Sequence, residues 1–65
     1  MGDHAKLIVD LGGTVATAKK LSHGVTPNMT WNWRAADRVP WRWRPALAVV
    51  AKREKITLPE GFLEP

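Results

Sequence analysis

The chain has no cysteine in its 65 residues, which excludes disulfide bracing and thiolate metal sites and points to a reducing, cytoplasmic setting. Histidine is scarce: His4 and His23 stand alone, without the neighbours a metal centre needs, so neither a metal nor another cofactor is expected. No apolar run is long enough to cross a bilayer, and no charged start, apolar middle and small-residue cleavage site announces a signal peptide. Carboxylates are few and scattered. Asp10, Asp37 and Glu54 form no acid–base pair, His23 has no nucleophile or acid beside it, and no glycine-rich phosphate loop or Ser/His/Asp set occurs. The expectation is therefore a protein with no catalytic residue. Length is the remaining shortage: so short a chain buries a small share of its unfolded surface and needs tight packing or a partner, which suggests a homodimer.

Base is present in excess, with a formal net charge of +4. The excess is central. Residues 14–45 hold Lys19, Lys20, Arg34, Arg38, Arg42 and Arg44 against Asp37 alone, whereas beyond them Lys52, Arg53 and Lys55 face Glu54, Glu60 and Glu64. A positive zone of this kind is the footprint of a nucleic-acid partner when a recognition element coincides with it.

Hydrophobic periodicity predicts an all-α, single-domain chain of four helices with no internal repeat and a short extended or helical C-terminal tail. Asp3 is a candidate N-cap for a helix over 4–11 that buries Leu7 and Leu11 beside Ile8 and stops at Gly12 and Gly13. Thr14 then caps a helix over 15–21, with Val15, Ala18 and Leu21 inward and Lys19 and Lys20 outward. After a turn at Ser22, His23 and Gly24, Val25 serves as a buried anchor and Thr26 opens a third helix, with Pro27 where its missing N–H is harmless. Two short helices around a tight turn, over roughly 14–37, make a helix-turn-helix arrangement. Pro40 opens a fourth helix that buries Trp43, Leu47, Val50 and Ala51 and ends near Glu54; Ile56, Leu58, Phe62 and Leu63 in the tail form either a core lid or a dimer strap.

On the third helix Met29, Trp33 and Ala36 make an apolar stripe, and Asn28, Trp31, Asn32 and Ala35 lie opposite. Asparagine reads adenine bidentately in the major groove, and arginine reaches phosphate or guanine, so Asn28 and Asn32 flanked by Arg34 and Arg38 suit duplex DNA. Trp33 and Trp43 are packing residues, while Trp31 meets either DNA or a second subunit. Lys19 and Lys20 approach the DNA backbone from the side or are solvated; Arg42 and Arg44 bind phosphate or lay their stems over Trp41.

These features, with Gly12–Gly13, Ala18, Leu21–His23, Asn32–Arg34, Arg38–Pro40 and the ITLPEGFL ending, resemble the small Cro-like helix-turn-helix proteins of phages and prophages, including YdaS-like, carph-isopro and anti-CRISPR-associated regulators. The resemblance implies base contacts from Pro27, Asn28, Met29, Trp31 and Asn32, a phosphate contact from Thr26, and a dimeric repressor of a phage or prophage operon, often its own, acting in a bacterial host cell on an inverted repeat. Two departures bear on the register of the third helix: the turn before it is about two residues longer than in the shortest members, and Thr30 stands where Val or Ile is common. A cationic Trp/Arg role at a membrane surface, carried by WRWR, and an antitoxin whose tail docks on a protein partner are the rival readings.

Overall fold

The computed structural model describes residues 2–64. These residues form α1 (Asp3–Asp10), α2 (Thr14–Leu21), α3 (Pro27–Ala36), a 3-10 turn η1 (Trp41–Trp43) and α4 (Arg44–Arg53), with no strand among them. The fold is thus all-helical, as the periodicity requires.

Three of the helices end in the same way, and the ends set the path of the chain. After α1 the amide of Gly12 donates to Val9 O and that of Gly13 to Ile8 O, with Gly12 at φ 106°. After α3 the amides of Asp37 and Arg38 donate to Arg34 O and Trp33 O, and after α4 those of Lys55 and Ile56 donate to Lys52 O and Ala51 O. Each is a Schellman closure, which needs a left-handed residue to bend the chain back. Glycine suits that place; Asp37 (φ 55°) and Lys55 (φ 59°) occupy it at a steric cost of roughly 1–2 kcal/mol or less.

Asp37 offsets its strain by a long-range contact, since its Oδ1 accepts the Ala5 amide of α1 at 2.9 Å. The N-cap position of α1 is Gly2, which offers no side chain, and Asp3 is the first helical residue rather than the cap expected for it. A Cβ on Gly2 would overlap the Asp37 carboxylate, so the cap arrives from the end of α3 because glycine leaves room for it. Thr14 likewise begins α2 instead of capping it; Gly13 holds the cap position.

The core joins Leu7, Ile8, Leu11, Leu21, Trp33, Val39, Leu47, Val50, Ala51 and Phe62, with Ala18 also buried. Val25 and Trp43 are half-buried at its margin rather than interior. Val15 is exposed; the inward position of α2 is Thr17, whose hydroxyl donates to Gly13 O at 2.7 Å, the usual way for a buried threonine to satisfy itself in a helix. Ala36, the last residue of α3, is exposed beside Asn32 and Trp41 rather than buried with the apolar stripe. Pro40 precedes η1, and α4 begins at Arg44.

The tail folds back as a lid. Phe62, 3% exposed, inserts into the core and packs against the His4 ring at 5.1 Å between centroids, so of its two expected roles it takes that of core lid and is not at a dimer surface. Ile56 and Leu58 pack on the same core and remain half-buried, and Leu63 is exposed.

Candidate nucleic-acid interface

Helix α3 is positioned by its start, its buried face and its end. At the start Thr26 Oγ1 accepts the Met29 amide at 3.3 Å, with Pro27 in the first turn, as the sequence dictates. On the buried face Thr30 is fully enclosed, and its hydroxyl, within reach of both carbonyls, lies 2.7 Å from Thr14 O at the head of α2 and 3.0 Å from Pro27 O. An aliphatic residue would fill the space but could not tie the two helices. Trp33, 6% exposed, lies 6.2 Å from the Trp43 ring and fastens α3 to the following turn.

The opposite face of the helix is open. Pro27, Asn28, Trp31, Asn32 and Ala35 are all exposed, Trp31 at 56%, and Thr26, Arg34 and Arg38 are exposed around them. Helical geometry puts Asn28, Trp31, Asn32 and Ala35 on one ridge, because residues three, four and seven apart share a side. Met29 departs from the expected contact set: it is half-buried and packs against the core, leaving little of it for a ligand.

Two shallow clefts flank the ridge. On the α1 side Trp31, Arg34 and Ala35 meet Gly2, Ala5 and Asp37. On the other side Asn32 and Ala36 face Arg38, Pro40 and Trp41 across the edge of Trp33. Trp41 was not singled out as a contact from the sequence, yet it is 42% exposed beside the ridge.

The basic residues divide into free and committed groups. Lys19 and Arg42 are exposed, with Arg42 5.3 Å from the Trp43 ring. Lys20 is half-buried and already paired, since its Nζ lies 2.7 Å from both Leu11 O and Glu54 Oε1, where it satisfies the end of α1 and ties α2 to the end of α4. Arg44 meets Trp41, as one of its two expected roles has it, but from the interior. Neither solvated nor free for phosphate, it is 7% exposed; Nε donates to Val39 O at 2.8 Å, Nη1 to Phe62 O at 3.4 Å, and the guanidinium lies 3.8 Å from the Trp41 ring centroid.

His4 completes this buried cluster. Its Nδ1 accepts the Val39 amide at 2.8 Å, so both backbone groups of the fully buried Val39 are bonded, one to His4 and one to Arg44. Burial lowers the His4 pKa below the ordinary 6.5, and the nearby Arg44 charge lowers it further, against smaller opposing effects of Asp37 and Asp3. A neutral ring is what an Nδ1 acceptor requires. His23 lies exposed in the turn at φ 52°.

No group of three or more metal-ligating side chains occurs among the described residues, and no helix there is long and apolar enough to cross a membrane. Set beside models of known families, curated proteins and solved structures, the chain matches none.

Proposed function

We propose that this chain is a sequence-specific, double-stranded DNA-binding regulator of Cro-like helix-turn-helix type that lays α3 in the major groove. The observation that carries the reading is the open ridge of Asn28, Trp31 and Asn32, uncovered within the protomer and rimmed by Arg34 and Arg38. Base edges in the groove are read by such amides, and phosphates on either side are met by such guanidinium groups. Pro27 lies at the leading end of the ridge, while Thr26 and Lys19 complete the backbone set. Repression of a phage or prophage operon, anti-CRISPR operons included, is the regulatory role proposed with it.

A homodimer is part of the proposal. The outer side of α4 and the tail form an apolar groove lined by Pro45, Ala48, Val49, Ile56, Leu58 and Leu63, with Val49 65% exposed. Lys52 is the one charged residue in its lining, so the groove can bury its apolar wall against the same face of a second copy with little charge to desolvate. The membrane-surface rival is disfavoured by the fate of WRWR: Arg44 is buried and Trp43 half-buried, so only Trp41 and Arg42 of that segment are exposed.

Selection of bound duplexes from a random pool tests the reading. A palindromic consensus with half-sites about one helical turn apart supports it. Asn28→Ala or Asn32→Ala should then relax preference at one base position by about 1–3 kcal/mol, while Arg34→Ala weakens cognate and scrambled duplexes alike. Equal losses on both duplexes for every variant, or an unenriched pool, would overturn it.

A further inference from the structure

We propose that the shelf between the end of α3 and η1 is a second binding site, which seats one deoxyribose–phosphate unit of the duplex whose base edges α3 faces. It rests on the DNA reading of α3 and adds a contact outside that helix.

The first reason is the way Trp41 is held. Arg44 supports the ring at 3.8 Å and is itself fixed by Val39 O and Phe62 O, so the indole has a rigid seat while the residue stays 42% exposed. A pre-positioned aromatic surface loses little conformational entropy when a ligand packs on it. The second reason is the lining. Asn32, Ala36, Arg38, Pro40 and Trp41 surround a volume of about 480 Å³ without a carboxylate among them, and the free guanidinium of Arg38 stands at the rim. One apolar platform beside one cation matches the two halves of a sugar–phosphate unit. A wholly apolar partner segment would instead strip water from Arg38 and Asn32 without pairing them. The third reason is continuity: Asn32 belongs to both the ridge and the shelf, so a strand bordering the groove at α3 passes within reach of Trp41.

The chemistry assigned is non-covalent and independent of sequence. Trp41 packs on the deoxyribose, Arg38 meets its phosphate, and exposed Ala36 keeps the floor low enough for both.

Binding of fluorescent duplexes by full-length protein tests the proposal, using a selected duplex, a scrambled duplex, and a set carrying one neutral methylphosphonate linkage at each position in turn. Arg38→Gln should weaken cognate and scrambled duplexes by similar factors and reduce the salt slope by about one. Trp41→Leu should weaken both about tenfold with the slope unchanged, the equivalent of about 1.4 kcal/mol. A single linkage should be sensitive in the wild type and lose that sensitivity in Arg38→Gln. Should Trp41→Leu melt early because it unseats Arg44, Ala36→Glu decides alone, since it places a carboxylate on the shelf at an exposed position and should weaken every duplex. Wild-type affinity in Ala36→Glu and Trp41→Leu, with discrimination still lost in Asn32→Ala, overturns the shelf and leaves the α3 reading standing. No duplex binding by the wild type overturns both. Saturable binding of a free deoxynucleoside monophosphate that Trp41→Leu abolishes, without any sensitive linkage, overturns the duplex assignment in favour of a mononucleotide.

Discussion

Two segments of this chain have nearly the same composition and opposite fates. In Trp31-Asn32-Trp33-Arg34 one indole is buried and the arginine is exposed; in Trp41-Arg42-Trp43-Arg44 the final arginine is buried and both indoles keep some exposure. The first lies within a regular α-helix, where the angular step per residue fixes which side each group takes. The second straddles a 3-10 turn and the start of α4, where the step changes and the facing of the chain is set by contacts instead. Tryptophan and arginine content alone therefore does not identify a binding surface; the backbone that carries it does.

Substituting the tryptophans is the harshest way to break this contrast. Trp33→Ala should lose about 3–5 kcal/mol of unfolding free energy, whereas exposed Trp31→Ala should change it by no more than about 0.5 kcal/mol. Urea denaturation of the two variants reads the difference; equal losses would mean that α3 is turned differently about its axis.

The arginines give the next largest separation. Arg44→Met should destabilise by about 2–4 kcal/mol, because it leaves Val39 O and Phe62 O without donors and frees the tail, while Arg34→Met should be close to neutral in stability. Protease cleavage near Phe62 that accelerates in Arg44→Met alone would locate the loss in the lid.

Asp37 ties the two regions, since it ends α3 and caps α1. Asp37→Ala should cost about 1–2 kcal/mol, and Asp37→Gly less, as glycine relieves the left-handed backbone while still lacking the cap. An alanine variant as stable as the wild type would show that the carboxylate contributes nothing.

The smallest expected effect is a pH dependence from His4. Its folded pKa is depressed, so the unfolded chain binds the proton first; stability is full above about pH 6.5 and declines as pH falls through the folded value. Melting between pH 8 and pH 5 should show this decline in the wild type and less of it in His4→Gln. An unchanged slope in the variant would assign the effect to the carboxylates.

Local signals were legible where one residue type has one physical use. Thr26 and Pro27 open α3, Gly12 and Gly13 close α1, and the apolar stripe places Trp33 inward and Asn28, Trp31 and Asn32 outward. The residues whose side the sequence left open or misread share a different property. Val15, Thr17, Thr30, Phe62 and Arg44 could each be satisfied either inside or outside the core, and their neighbours in sequence do not say which.

By itself the sequence determined that the chain is helical, where three of its helices stop, and that positive charge gathers in its middle, because caps, breakers and periodicity act over a few residues. Only the tertiary structure decided that the carboxylate capping α1 comes from Asp37, that Thr30 ties α3 to α2, that Phe62 closes the core, and that Arg44 is interior while Trp41 remains outside. Each of these joins groups distant along the chain, and whether a polar or aromatic group gains by burial depends on the partner it finds there.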